Sequence, residues 1–392
     1  MEIYLDHTAT TYVIPEVKKE MDKYFSDEFG NPGSFNTIGL RAKQAIDDSR
    51  EKVASILNAR PEEIIFTGSG TESINLAIKG VARANKKKGN HIITSKIEHH
   101  AVLDTCEYLE KDEGFRVTYL DVDKYGLVDV DQLRKSITKD TILITIMYAN
   151  NEIGTIEPVA EIGKIAREKQ ILFHTDACQA AGSLDIDVEK LHVDLMSLNG
   201  SKMYGPKGVG MLYVRKGVPI KPIIHGGGQE FGLRSGTENV PYIVGFAKAL
   251  EIAQKSMDEE ATRMTKLRDY MIKRVLETNT KSFLNGHPTK RLPNNINITF
   301  LDVEGEAVLL HLNKHGICAS TGSACTSKTL DPSHVILATG LPYEAAHGSI
   351  RFSLGKKTSK KEIDAVIKVL PKIVEELRSI SPVKIEKSEI GR

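Results

Sequence analysis

Short apolar runs recur along the first two hundred residues at a spacing typical of strands separated by helices. Such runs lie at residues 64–67, 91–94, 116–120, 141–147, 171–175 and 194–198. Between them, apolar residues return every three or four positions, which is typical of amphipathic helices. Residues 142–147 are apolar at nearly every position, as in a strand covered on both faces. The alternation predicts an α/β fold with a mainly parallel sheet.

The remainder of the chain follows a different pattern. Residues 241–278 form a long helical stretch with few breaks, which is expected to lead out of the sheet region. Short apolar segments then lie at residues 295–300, 307–312 and 349–353. We therefore expect a large α/β domain over residues 15–255 and a smaller α+β domain built from residues 1–14 and 256–392.

Composition narrows the possible partners. The 53 basic and 52 acidic residues nearly cancel, so charge gives no reason to expect direct binding to nucleic acid or to an acidic membrane. The chain begins without a cationic, apolar leader and has no apolar stretch long enough to span a bilayer, so we expect a cytoplasmic protein. The four cysteines form no C-x-x-C pair, and no two histidines bracket a glutamate at helical spacing. Neither a disulfide framework nor a metal site is therefore expected.

Two predicted strand ends carry complementary chemistry. The strand at 171–175 leads into Asp176, and the strand at 194–198 leads through a glycine turn to Lys202. Because the carboxyl ends of parallel strands share one edge of a sheet, we expect both side chains in one crevice. The pair suits pyridoxal phosphate (PLP), which a lysine holds as a Schiff base while an aspartate keeps the ring nitrogen protonated. Considered alone, such residues are more often a helix cap and a solvated lysine.

Further segments have the chemistry to complete such a site. The turn at 66–72 opens a helix whose N–H groups suit a phosphate, although a plain βα turn has the same composition. His99 and the turn at 150–152 each follow a predicted strand, and the glycine-rich loop at 225–237 is either a long turn or an anion-binding loop. Cys325 stands among small polar residues and is expected to be an exposed nucleophile, whereas the other cysteines lie in apolar contexts.

Ten short motifs are spaced along the chain: YLDHTATT at 4–11, GNP at 30–32, TE at 71–72, EH at 98–99, NNEIG at 150–154, DACQ at 176–179, KMYGPKG at 202–208, RSGT at 234–237, GSAC at 322–325 and SIR at 349–351. In this order they resemble the cysteine desulfurases of the NifS/IscS type. The resemblance runs from Tyr4 to about Gly355, and the joint occurrence of the motifs is highly specific. That family belongs to the class V aminotransferases, which are fold-type I PLP-dependent transferases. The resemblance therefore implies a homodimer with active sites at the dimer interface.

The resemblance implies a role for each matching residue. Lys202 would carry PLP, Asp176 would pair with its ring nitrogen, and Cys325 would be the nucleophile. His99 would stack on the ring and shuttle protons. Gln179 and Asn151 would contact the phenolic oxygen of PLP, and Arg351 with Asn31 would bind the substrate carboxylate. The phosphate would be held by Gly70, Thr71, Asn199 and Ser201 of the same chain, together with Thr237 of the partner subunit.

The resemblance also implies the reaction. L-Cysteine would become L-alanine while its sulfur passes to Cys325 as a persulfide, with Lys202 removing the Cα proton. The spacing from Cys325 to Arg351 resembles the branch with a long cysteine loop, which delivers sulfur to iron–sulfur scaffold and sulfur-carrier proteins. No resident metal is implied, and a transient role for Cys325 as an iron–sulfur ligand is left open.

Several positions depart from the family pattern. Ser201 stands where the family usually has His, Asn199 replaces the usual Ser, Phe231 replaces a frequent Arg, and His7-Thr8 is atypical. Ser201 and Asn199 can donate hydrogen bonds to a phosphate but carry no charge, so we expect an altered affinity for PLP. The alternatives are a selenocysteine lyase or another PLP lyase, and a degenerate paralogue that acts as an interaction protein.

Overall fold

The computed structural model of the chain describes residues 2–322 and 331–390. The predicted nucleophile Cys325 therefore lies outside the described residues. Within them, no helix is both long and apolar enough to cross a membrane.

A seven-stranded sheet forms the centre of the larger part of the molecule, with strand order β2-β8-β7-β6-β5-β3-β4. Neighbouring strands run parallel except at β8, which is antiparallel to both β2 and β7. The mainly parallel α/β fold is thus confirmed, with one reversed strand that the sequence pattern does not predict. The seven strands are β2 (Ile64–Thr67), β3 (His91–Ser95), β4 (Arg116–Leu120), β5 (Thr141–Thr145), β6 (Leu172–Asp176), β7 (Leu195–Asn199) and β8 (Gly210–Val214).

Helices cover both faces of this sheet. Adjacent residues of β5 illustrate this, because Leu143 packs in one hydrophobic core and Ile144 in the other, and all five residues of β5 are buried. This explains why the strand is apolar at almost every position. The helices of this part are α1 (Pro15–Ser26), α2 (Thr37–Leu57), α3 (Gly70–Asn85), α4 (His100–Glu113), α5 (Val130–Ser136), α6 (Val159–Glu168), α7 (Val188–Leu191) and α8 (Val240–Lys255).

The helical stretch predicted at 241–278 is two helices rather than one. Helix α8 ends at Lys255, and α9 (Met257–Thr278) begins after Ser256, whose φ of −101° and ψ of 7° interrupt the helical geometry. The hydroxyl of Ser256 donates to the carbonyl of Ile252 at 2.9 Å, one turn back. A serine that bonds to the preceding turn offers an alternative to the helical ladder, and this accounts for the break.

The remaining elements form a second, smaller core. An antiparallel sheet of order β12-β10-β9 packs against helices α9, α10 and α13. The amino-terminal strand β1 (Ile3–Tyr4) pairs in parallel with β11, so Ile3 and Leu5 join this core. The division into a large domain of residues 15–255 and a small domain of residues 1–14 and 256–392 stays a prediction. The other elements are β9 (Ser282–Leu284), β10 (Asn295–Phe300), β11 (Ile317–Cys318), β12 (Ser349–Ser353), α10 (Gly305–Lys314), α11 (His334–Ala338), α12 (Tyr343–Ala346) and α13 (Lys360–Ile380).

Candidate active site

A cavity lies at the carboxyl edge of the large sheet, where consecutive strands end in polar residues. Asp176 is the last residue of β6 and Asn199 the last of β7, and Lys202 ends a short 3₁₀ turn that follows β7. Parallel strands place such residues at one edge, where ligands bind in α/β folds. The structure brings together most of the predicted site residues, since the cavity lining includes Gly70, Thr71, His99, Asn151, Asp176, Gln179, Asn199, Lys202 and Arg351.

The carboxylate of Asp176 is 7% exposed and accepts the main-chain N–H of Cys178 at 2.9 Å. Behind it on the same strand, His174 is fully buried between the hydroxyls of Thr145 at 2.8 Å and Ser197 at 2.9 Å. Burial lowers the pKa of His174 to about 4, so this imidazole is neutral near pH 7. His174 therefore does not compete as a cation with a protonated ring nitrogen for Asp176.

The amine of Lys202 lies against the amino-terminal segment of the chain. Its Nζ donates to the main-chain carbonyls of Thr8 at 2.7 Å and Ala9 at 2.6 Å. The amide of Gln179 also donates to the carbonyl of Thr8, at 3.1 Å. Main-chain carbonyls are neutral acceptors, so they orient the amine without placing a carboxylate beside it.

The first turn of α3 supplies the end of the cavity suited to a phosphate. The first N–H groups of a helix lack partners within the helix and favour anions. The hydroxyl of Ser69 caps this end by accepting the N–H of Glu72 at 3.1 Å. Only glycine fits at Gly70, because a Cβ there would lie 2.7 Å from Sγ of Cys178 and 3.2 Å from Cβ of Asn199. The backbone of α3 can therefore approach the end of β7 closely.

Ser201 does not line this cavity, although it was predicted to contact the phosphate. It is 8% exposed, and its hydroxyl donates to Oδ1 of Asn199 at 3.4 Å. Its carbonyl accepts both the N–H and the hydroxyl of Thr11 at 2.9 Å. In this structure Ser201 thus orients Asn199 and holds the amino-terminal segment, and its direct contact with a phosphate stays a prediction.

His99 is the N-cap of α4, and its ring orientation is fixed by that position. Its Nδ1 accepts the N–H of Ala101 at 3.0 Å, so the proton of the neutral ring lies on Nε2. The preceding residue, Glu98, is fully buried, and its Oε1 accepts the hydroxyl of Ser95 at 2.6 Å and the N–H of Met147 at 3.1 Å. Burial raises the pKa of Glu98 to about 8, so a neutral acid anchors the turn that presents His99.

Arg351 reaches the cavity from β12 in the smaller part of the molecule. Its side chain is 1% exposed and its Nη2 donates to Oδ1 of Asp6 at 2.8 Å. Its Nη1 donates to the main-chain carbonyl of Asn151 at 3.2 Å, and the same carbonyl accepts Nδ2 of Asn295 at 3.3 Å. Arg351 thus adds a guanidinium to the lining of the cavity.

Two predicted site residues lie elsewhere in this chain. Asn31 and Thr237 are exposed and do not line the cavity. The side chain of Asn31 caps its own turn by accepting the N–H of Gly33 at 2.9 Å. The roles of Asn31 and Thr237, like that of Cys325 outside the described residues, remain predictions.

The sequence interpretation missed the contribution of the amino-terminal segment. We call residues 5–11 the amino-terminal strap. Through Asp6, Thr8 and Ala9 it contacts Arg351, Gln179 and Lys202. The motif at 4–11 marked this segment as unusual, but three of these four hydrogen bonds use the main-chain carbonyls of Thr8 and Ala9, which leave no signal in side-chain chemistry.

The residues present fit PLP. One cavity holds a buried carboxylate at Asp176, an amine at Lys202 and the amino-terminal turn of α3 beside Gly70 and Thr71. These are the groups needed for the ring nitrogen, the aldehyde carbon and the phosphate of that cofactor.

Comparisons with known proteins agree with this geometry. The family model described as aminotransferase class V matches residues 3–366. The cysteine desulfurase IscS of Dictyoglomus turgidum is 54% identical over 385 residues, covering 98% of each chain. That of Methanosarcina thermophila is 56% identical over 380 residues, 97% of this chain and 94% of the relative. A solved NifS-like protein superposes with a TM-score of 0.90 at 41% identity, covering 96% of this chain and all of the other. The chain therefore belongs to the class V aminotransferase family and, within it, to the PLP-dependent cysteine desulfurases.

Proposed function

We propose that this enzyme transfers the sulfur of L-cysteine to Cys325 as a persulfide, releases L-alanine, and passes the sulfur to an iron–sulfur scaffold or sulfur-carrier protein. The proposal is based chiefly on one observation, namely that Lys202, Asp176 and Arg351 line the same cavity. A base, a cofactor anchor and a cation for the substrate carboxylate are the groups that chemistry at the Cα of an amino acid requires.

Each residue has a defined task in this proposal. Bound PLP supplies an electron sink that acidifies the Cα–H of the amino acid. Lys202 removes that proton, with its amine oriented by the carbonyls of Thr8 and Ala9. Asp176 keeps a negative charge beside the ring nitrogen, and His99 presents a proton on Nε2 towards the substrate. Arg351 binds the substrate carboxylate.

The sulfur-transfer step needs a thiolate. The thiolate of Cys325 attacks the substrate sulfur, a sulfur–sulfur bond forms, and the carbon–sulfur bond breaks with its electron pair going to carbon. Protonation of that carbon gives alanine, so L-cysteine and a thiol become L-alanine and a persulfide. The other thiols suit the step poorly, because burial raises the pKa of Cys106, Cys178 and Cys318.

Exposed aromatic surface supports the proposal that two copies assemble. Phe29 is 66% exposed and Phe35 is 96% exposed in the loop between α1 and α2. Phe231, 59% exposed, lies in the glycine-rich loop that also carries Thr237. Large exposed apolar side chains of this kind mark interaction surfaces. In the proposed homodimer they are covered by the second copy, and the partner's Thr237 reaches the phosphate.

The experiment combines a visible spectrum of the PLP-loaded protein with an assay for alanine after addition of L-cysteine and a reductant. Lys202→Ala and Cys325→Ser are expected to lower turnover at least roughly a thousandfold. Cys318→Ser, which changes a half-buried thiol, is the matched control and should retain turnover.

The outcomes separate the possible functions. A Cys325→Ser variant that still forms alanine at the normal rate would contradict the persulfide step. A wild-type protein that binds PLP but forms alanine only from selenocysteine would indicate a selenocysteine lyase. If the protein cannot be loaded with PLP, the remaining alternative is that it acts as an interaction protein.

A further inference from the structure

The amino-terminal strap places a carboxylate against the arginine proposed to bind substrate. Oδ1 of Asp6 lies 2.8 Å from Nη2 of Arg351, and the two side chains are 19% and 1% exposed. The guanidinium of Arg351 therefore has a negatively charged partner that belongs to the protein itself. A carboxylate ligand that enters the cavity meets an arginine whose charge is already balanced.

The position of Asp6 is fixed by its backbone. Asp6 forms a parallel bridge with Ser353 of β12, and the N–H of Ser353 donates to the carbonyl of Leu5 at 2.7 Å. The carbonyl of Asp6 accepts the hydroxyl of Tyr4 at 3.0 Å and the N–H of Ala9 at 3.1 Å. Because Ser353 and Arg351 belong to the same strand, the carboxylate and the guanidinium are held together by the fold. Main-chain pairing therefore keeps the backbone of Asp6 beside Arg351.

The remaining donors of Arg351 can still receive a ligand. A guanidinium has five N–H donors, of which Nη2 donates to Asp6 and Nη1 to the carbonyl of Asn151. Its Nε is buried and has no acceptor among residues 2–322 and 331–390. A substrate carboxylate bound to the free donors would share one cation with Asp6, and the two like charges would repel each other.

We propose that Asp6 weakens the binding of carboxylate ligands at Arg351, so that the product alanine is not retained. This inference rests on the proposed role of Arg351. Asp6 is a positioning residue with an electrostatic effect, because it acts through Arg351 and not on the reacting atoms. With Asp6 neutralised, the ligand carboxylate no longer shares the buried guanidinium with the Asp6 carboxylate, and ligands with a carboxylate then bind more tightly.

The test compares two ligands of the PLP-loaded full-length protein that differ only in the carboxylate. L-Alanine carries it, and ethylamine lacks it. Dissociation constants are obtained from the change of the visible spectrum on titration. In Asp6→Asn the preference for alanine over ethylamine is expected to rise roughly tenfold, since one charge close to the site is removed. The KM for L-cysteine should fall in parallel.

Matched variants make the result specific. Glu2→Gln removes an equal charge from an exposed residue four positions earlier in the chain and should leave the preference unchanged. Asp6→Glu keeps the charge and should stay near wild type. If Asp6→Asn does not accumulate as folded protein, Asp6→Ser carries the same expectation.

Two different failures can be distinguished. An unchanged or lower preference for alanine in Asp6→Asn would overturn the inference, and a lower one would mean that Asp6 only orients the arginine. Arg351→Gln tests the underlying role, because it should abolish the preference for alanine. If Arg351→Gln leaves that preference intact, the proposed carboxylate site itself is wrong.

Discussion

The two sides of the active-site cavity are built in different ways. Gly70, Thr71, Asp176, Asn199 and Lys202 form the cofactor side. Asp176 and Asn199 end strands of the large sheet, and Lys202 follows one of these strands by a single turn. Gly70 and Thr71 begin helix α3, which packs on that sheet. The proposed substrate side is formed by Arg351 and its partner Asp6, and this ion pair joins residues 345 positions apart. One side is positioned by local elements, whereas the other depends on polar contacts between distant segments.

The turn at residues 150–154 joins the two sides, and residues of the smaller core hold it. The carbonyl of Glu152 accepts Nδ2 of Asn295 at 3.2 Å and of Asn297 at 3.1 Å. Arg291 is 3% exposed and donates to the carbonyl of Ile153 at 3.1 Å. The substrate side is therefore assembled through buried hydrogen bonds, which are costly to leave unmade.

Arg291→Met is expected to break the substrate side and to have the largest effect. Besides Ile153, Arg291 donates to the carbonyls of Asn285, His287 and Asn295 at 3.2–3.3 Å. Loss of these donors leaves buried carbonyls without partners, so the free energy of unfolding should fall by about 3–5 kcal/mol. Denaturant unfolding followed by circular dichroism measures the change.

The control for this variant is Arg274→Met. Arg274 lies on the exposed face of α9 and pairs with Glu277 at 2.7 Å, with both side chains more than 40% exposed. An exposed pair of this kind contributes less than about 1 kcal/mol. Equal losses in the two variants would contradict the view that the hydrogen bonds of Arg291 hold the substrate side together.

Gly70→Ala probes the cofactor side and should have an intermediate effect. The new Cβ overlaps Sγ of Cys178 and must displace either α3 or the end of β7. Overpacking of this kind costs about 1–3 kcal/mol, which corresponds to a loss of PLP affinity of roughly tenfold to a hundredfold. Equilibrium titration with PLP, followed by absorbance, gives the affinity.

The double variant Gly70→Ala/Cys178→Ala decides whether that overlap is the cause. Removal of the sulfur makes room for the new methyl group, so PLP affinity should recover to near that of Cys178→Ala alone. No recovery would mean that Gly70 is required for another reason, such as its contact with Asn199.

Glu98→Gln sharpens the comparison through the pH dependence of stability. The pKa of Glu98 is raised from 4.5 to about 8, so between these values the folded protein keeps a proton that the unfolded chain releases. Stability therefore falls as pH rises through this window, with a slope of about 1 kcal/mol per pH unit for this group. Glutamine mimics the neutral acid and should remove this contribution. Unfolding curves at about pH 5 and about pH 8 test this, and an equal difference between variant and wild type at both values would contradict it.

The same contrast explains what could be predicted from the sequence. The periodicity of apolar residues located the strands β2, β4, β10 and β12 at their observed bounds, because burial and local geometry determine such patterns. Asp176 and Lys202 were predicted to share a crevice from strand ends alone, and the structure brings both to one cavity. Local signals were sufficient for this pair but not for Ser201 and Thr237, which do not line the cavity.

Other features were not predictable in this way. The reversal of β8 depends on pairing between strands, and the partnership of Asp6 with Arg351 depends on packing of the first residues against β12. The position of Ser201 likewise depends on a distant segment, because its carbonyl accepts the hydroxyl of Thr11 at 2.9 Å. Apolar periodicity and motif spacing do not show which distant segments will meet.

The amino-terminal strap also has a consequence for the order of events during synthesis. Leu5 and Asp6 are translated more than three hundred residues before their partner Ser353. The strands of the large sheet are all translated before that point and can pair as they emerge. The amino-terminal strap thus takes its place only after β12 has been translated, whereas the large sheet does not have to wait for that strand.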